Sequence, residues 1–159
     1  MAKLIIAPAL GACLLLAACG QPAQQPPETP PPAAAAAEAP TPGDWSGLEA
    51  LVGKYPGESK LFEDSPIVPA LKALLGDKFE TFKANTQTSG PLKRDGVLFV
   101  TGNRPDQGGS DQAYLLVDPA AEAMEVGLWE AGKLSVFTTP GAKLAKPKDV
   151  QTMLANAGA

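Results

Sequence analysis

An α+β domain, built as an antiparallel sheet of about five strands with helices on one face, is what residues 44–159 predict. Three observations carry that expectation. Before residue 85 the apolar side chains recur at helical spacing, with Pro and Gly as punctuation. Between residues 96 and 139 four runs rich in β-branched and aromatic residues follow one another. The connections between these runs are short, which suits antiparallel neighbours, because parallel pairs need long crossovers. Helices gathered early and strands later point to α+β rather than to alternating βαβ units.

Taken in order, Trp45, Leu48, Leu51 and Val52 lie near helical spacing and stop at Gly53, which predicts a short helical turn. Pro56-Gly57 marks a turn. Ser65-Pro66 has the pattern of an N-cap followed by proline in the first helical position. Pro69 moves the regular helix toward itself, since a proline three residues in would lack a needed donor. Ile67, Val68, Leu71, Leu74 and Leu75 share one face, and Gly76 suits the C-terminal stop. Asp77 is placed to cap a second helix that presents Phe79 and Phe82 and ends near Asn85. The strands are read at residues 96–102, 112–118, 122–130 and 133–139, with residues 86–92 adding an edge strand. Glu130-Ala-Gly-Lys133 is a tight turn in which Gly132 can take positive φ. Val150, Met153 and Leu154 define a short C-terminal helix over residues 148–155. Trp45, Phe79, Phe82, Phe99 and Trp129 are assigned to the core.

The first residues are of another kind. Lys3 supplies a positive start, small and apolar residues follow, and Leu16-Ala-Ala-Cys19 has the pattern of a bacterial lipobox. Small side chains precede the cut, and the Cys19 sulfur is the group that would accept the lipid; Cys13 is a weaker match because its apolar run is short. Residues 1–18 therefore read as a lipoprotein signal peptide. Residues 19–43, the lipidated Cys19 and a Pro/Ala-rich stretch, read as a disordered tether of polyproline-II character. Residues 44–159 are long enough for one domain with a single core. The expected location is the bacterial cell envelope, lipid-anchored. Gly20 after the Cys lacks the aspartate that retains many lipoproteins at the inner membrane, which favours the outer membrane facing the periplasm.

The composition removes several kinds of chemistry. The chain has no histidine, and of its two cysteines one falls in the signal peptide and the other takes the lipid. Cys–His and Ser–His–Asp catalysis and the usual zinc ligand sets are therefore excluded. Thirteen basic against seventeen acidic side chains, without a dense Lys/Arg cluster, give no footprint for nucleic acid. Asp106, Ser110 and Asp111 provide too few oxygens for calcium. The carboxylate pairs Glu63-Asp64 and Glu122/Glu125 read as solvated surface. Neither a catalytic residue, a metal site nor a cofactor is assigned, and the protein reads as a non-enzyme. A homodimer is compatible with the composition.

Three segments, in this order, carry a resemblance: Ala70-Leu-Lys-Ala-Leu-Leu-Gly-Asp-Lys-Phe79, Asp95-Gly-Val-Leu-Phe-Val-Thr-Gly102, and Ala113-Tyr-Leu-Leu-Val-Asp-Pro119 with the Glu130–Lys133 hairpin after it. The domain resembles the inhibitor-of-vertebrate-lysozyme family over most of residues 50–139. That resemblance implies a central antiparallel sheet with helices to one side, and export. It also implies a binding function, the blocking of C-type lysozymes by a loop of pattern C-K-P-H-D-C between the first two long strands, closed by a disulfide. The matching loop here runs from Gly102 to Gly109. Arg104 and Pro105 keep the basic-proline pair, Asn103 and Gly108 stand in the cysteine slots, and Asp106 stands in the histidine slot. The partner-binding loop expected from the resemblance is thus Asn103, Arg104, Pro105, Asp106, Gln107 and Gly108. Read from the residues alone, the same stretch is a polar connection with Gly, Asn, Pro and Asp in their usual turn roles. Without the disulfide, Gly108-Gly109 should leave it flexible. Two functions follow: a module that binds a lysozyme-type muramidase, or an envelope lipoprotein that keeps the fold for another envelope partner.

Overall fold

A computed structural model describes residues 43–156. The expected signal peptide, Cys19 and all of the expected tether before Gly43 lie outside the described residues. The domain is α+β: six strands form one antiparallel sheet, with helices before and after it. β1 (Thr88–Ser89) and β2 (Lys93–Asp95) both pair with β3 (Val97–Asn103). β4 (Gln112–Asp118), β5 (Ala123–Glu130) and β6 (Lys133–Thr138) then follow as a meander. The register runs Val100↔Leu115, Leu115↔Val126 and Val126↔Phe137 across the sheet.

The expected edge strand over residues 86–92 is realised only at Thr88–Ser89, and β2 is an addition to the expected set. Lys93, Arg94 and Asp95 are all exposed, so no apolar alternation announced them. Their pairing with β3 is enforced by the reversal at Gly96, whose φ of 74° suits glycine.

The helical half follows the apolar spacing, with local differences. Ser46–Leu51 is a 3-10 turn. Asp44 Oδ1 accepts the Ser46 amide at 2.9 Å in front of it. Pro56-Gly57 does not merely turn; it opens a one-turn helix, α1 (Pro56–Ser59), ended by Lys60 in the left-handed region. α2 (Val68–Leu75) starts beside Pro69 and stops at Gly76, φ 54°. Ser65 is not its cap, since its hydroxyl donates back to Leu61 O at 2.6 Å. Asp77 likewise caps nothing: it sits inside a 3-10 turn (Gly76–Lys78) that leads directly into α3 (Phe79–Ala84).

One sheet face carries Leu98, Val100, Leu115, Val117, Met124, Val126 and Leu128, packed on Trp45, Leu48, Leu71, Phe79 and Phe82 from the N-terminal half. The opposite face carries Val97, Phe99, Tyr114, Leu116 and Trp129, which the C-terminal α4 (Lys148–Asn156) covers through Val150, Met153 and Leu154. The expectation of helices on one face therefore holds for the N-terminal helices, whereas α4 takes the other. The central strands are apolar on both faces, and an apolar face must be covered to be taken out of water. All five aromatic residues assigned to the core are buried.

On the α4 side the sheet buries a polar group. Tyr114 Oη donates to Glu125 Oε1 at 2.6 Å, and Lys146 Nζ pairs with the same carboxylate at 3.0 Å. Glu125, 5% exposed, is thus not the solvated surface residue its sequence context suggests; Glu122 is not on the strand at all but in the preceding turn, at φ 48°. Burial, then the hydrogen bond to Glu125 and its negative charge, push the Tyr114 phenol far above the usual value near 10. The folded protein holds that proton more tightly than the unfolded chain. The resulting stability is complete below about pH 10 and falls as pH rises past it. Urea unfolding across pH 8–11 should show this decline, and Tyr114→Phe should abolish its Tyr114 component while lowering stability at neutral pH.

Candidate functional site

β3 and β4 end their ladder at Asn103↔Gln112, and the chain between them reverses at the end of the sheet. Main-chain bonds organise this reversal. The Arg104 amide donates to Asp111 O at 2.9 Å and closes the base. The Gln107 amide donates to Arg104 O at 3.1 Å across Pro105-Asp106, with Asp106 at φ 61°. Proline in the second position and positive φ in the third are the signature of a type II turn, and aspartate tolerates that φ better than most side chains. A further turn brings the Ser110 and Asp111 amides to Gln107 O at 3.3 and 3.1 Å, with Gly109 at φ 93°. The Ser110 hydroxyl donates to Asp111 Oδ2 at 3.0 Å.

Two further supports hold the loop, one from its own first side chain and one from the neighbouring turn. Asn103 Nδ2 donates to Arg104 O at 2.8 Å, and the Gly132 amide of the β5–β6 turn donates to Ser110 O at 2.8 Å. The sequence gives no sign of the second, because it joins residues that only the meander brings together. The loop is therefore hydrogen-bonded at its base, along its turns and to its neighbour.

The six residues of the candidate loop are placed unequally. Pro105, Asp106, Gln107 and Gly108 are exposed, so the tip carries one charge, the Asp106 carboxylate. Asn103 and Arg104 are half-buried, and Arg104 Nε is out of solvent without a hydrogen-bond partner. Arg104 thus belongs to the shoulder of the loop rather than to its tip. A Cβ built on Gly108 would lie 3.8 Å from Asn103 Nδ2, so the side chain at 103 reaches toward position 108. Gly108 has an ordinary φ, which leaves room for a larger residue there.

Gly102 shapes the loop's base. A Cβ there would meet Thr88 O at 2.9 Å and Thr86 Cα at 3.0 Å, so glycine is what allows β1 to lie against the end of β3. Asn85, fully buried behind it in sequence, donates from Nδ2 to Trp129 O at 2.7 Å and anchors the end of α3 to β5. Among the described residues no group of three or more His, Cys, Asp or Glu is placed to hold a metal ion. The arrangement offers a shaped, projecting contact surface with a carboxylate at its apex.

Compared with known protein families, residues 66–159 match Inhibitor of vertebrate lysozyme (Ivy). The chain belongs to that family. The match begins just before α2 and runs through the whole sheet and α4, so it includes the β3–β4 loop. The Ivy assignment agrees with the resemblance carried by the residues around Phe79, Gly102 and Pro119, and it makes this a lysozyme-inhibitor-like domain of an inhibitor family. Searches of curated proteins and of solved structures returned no match.

Proposed function

We propose that this Ivy-family chain is an exported, lipid-anchored binding protein that protects the cell wall by intercepting a lysozyme-type muramidase through residues 103–108. The observation that carries this reading is the projecting β3–β4 loop, hydrogen-bonded at its base and exposed from Pro105 to Gly108, at the position that the resemblance implies for an inhibitory loop. A loop already held in shape forfeits less conformational entropy when it docks. The test is capture of C-type and other muramidases on the immobilised protein, with residual muramidase activity measured. Inhibition that disappears when residues 104–107 are replaced by a Gly-Ser stretch supports the reading, and inhibition that survives both Arg104→Ala and Asp106→Ala removes the loop from it.

One observation favours a second reading, an envelope lipoprotein that keeps the fold and serves another envelope partner. Asp106 sets a carboxylate at the tip, where the catalytic carboxylates of a lysozyme cleft would repel it. Failure of every muramidase to bind, with the domain folded, selects that reading.

Anchoring rests on Leu16-Ala-Ala-Cys19. Acyl chains contribute about 0.8 kcal/mol per buried methylene, so two or three hold a protein at a bilayer. No helix among the described residues is long and apolar enough to cross a membrane. Cys19→Ser should leave an unlipidated precursor and shift the protein from the detergent phase to the aqueous phase; unchanged lipid labelling of that variant would move the anchor to Cys13 or sink it. The outer membrane, facing the periplasm, is the proposed location.

A further inference from the structure

Beside the base of the loop, on the α4 face of the sheet, lies a cleft of about 450 Å³. Its size falls within the roughly 300–1,000 Å³ range of small-molecule sites. Thr88 and Ser89 of β1, Thr101 and Asn103 of β3, Gln112 of β4 and Met153 of α4 line it, with glycine backbone between them. Two hydroxyls, of Thr88 and Thr101, and two carboxamides share that face, whereas Ser89 pairs with Gly102 and sets its side chain toward the other; no lining side chain is charged or aromatic. Asn103 uses its Nδ2 on Arg104 O and keeps its carbonyl oxygen. Among the described residues the side chains of Thr88, Ser89, Thr101 and Gln112 make no hydrogen bonds to other groups.

The chemistry narrows the ligand. With no cation in the lining, a phosphate or carboxylate has no counter-charge; with no carboxylate or imidazole, a metal has no ligand set; with no aromatic ring, a nucleobase has nothing to stack on. A peptide added as an edge strand would find only two residues of β1 to pair with. Hydroxyls and carboxamides both donate and accept, which is what vicinal sugar hydroxyls and an acetamido group require. The Met153 thioether gives an apolar, adaptable contact for an acetamido methyl. We propose that this cleft, which shares Asn103 with the base of the loop, binds an uncharged, N-acetylated saccharide.

The test is calorimetric and NMR titration of the full-length lipidated protein in micelles with N,N′-diacetylchitobiose, and with cellobiose, which has hydroxyls in place of the acetamido groups. Chitobiose should saturate below about 10 mM, a weak-affinity regime, and perturb the amides of Thr101, Asn103 and Gln112. Cellobiose should bind at least tenfold more weakly. Thr101→Val and Gln112→Met, which keep shape and remove polar groups, should each weaken chitobiose fivefold or more while cooperative unfolding persists. Equal response to the two sugars, no saturation with either, or full binding by the double variant would overturn the site. Co-sedimentation with peptidoglycan sacculi, released by chitobiose, identifies wall glycan as the source; binding of the soluble probe alone identifies a free saccharide.

Discussion

Gly127→Ala is expected to destabilise the domain by about 3–5 kcal/mol, a large part of the roughly 5–15 kcal/mol that holds a typical domain together. A Cβ at position 127 would lie 2.1 Å from Tyr114 Cε1, 2.5 Å from Cζ and 2.7 Å from Cδ1, so the ring has to leave its place. It cannot do so cheaply. Tyr114 is fully buried, stands edge-on to Trp129 at a centroid distance of 5.9 Å, and donates the hydrogen bond that Glu125 receives at 2.6 Å. Overpacking costs about 1–3 kcal/mol, and breaking a hydrogen bond to a buried charged group roughly 1.5–3 more. The gain in strand propensity from glycine to alanine offsets only a fraction of that. Urea denaturation of the variant measures the loss. Gly127→Ala in a Tyr114→Ala background should cost far less, because the obstructing ring is gone; equal costs in both backgrounds would show that the ring is not the obstacle.

Asp106→His is expected to strengthen binding to a C-type lysozyme at least tenfold, about 1.4 kcal/mol, from a wild-type affinity that is weak or unmeasurable. The exposed tip carries Asp106 as its only charge, and like charges brought together in a partly desolvated interface cost several kcal/mol. Histidine removes the repulsion at every pH and adds attraction as its ring protonates below about pH 6.5, so the gain should grow as pH falls toward 5.5. Asn103→Cys with Gly108→Cys should add to it, since the side chain at 103 already reaches toward 108. A disulfide across six residues restricts the chain by roughly 2 kcal/mol on the entropy model, although the backbone bonds of the native loop leave less freedom to remove. Residual muramidase activity against inhibitor concentration reads both effects. Tight inhibition by the wild-type chain would make Arg104 the anchor, despite its half-buried stem, and Arg104→Ala would then abolish it.

The order of helices and strands, and the place of the loop between two of them, were determined by the sequence itself. Val97 to Val100 and Tyr114 to Val117 are apolar and β-branched or aromatic enough to be strands in any setting, and Pro105 and Gly109 mark reversal through their own backbone preferences. Such signals are local, so one chain suffices to read them. β2 escaped because Lys93, Arg94 and Asp95 bury nothing; their strand conformation comes from the β3 ladder. The side of the sheet taken by α4 escaped for a related reason. An amphipathic helix states that one of its faces is buried, while Val150 becomes buried on Phe99 and Trp129 only because the N-terminal helices already occupy the other face. Glu125 looked like surface until Tyr114, eleven residues earlier, and Lys146 were brought against it. The loop's order was decided in the same way. Its turns are written in Pro105 and Asp106, but the bond from the Gly132 amide to Ser110 O exists only once the meander has folded two distant turns to the same end of the sheet. Local backbone preference is carried by neighbours in sequence, whereas burial and hydrogen-bond partners are set by neighbours in space.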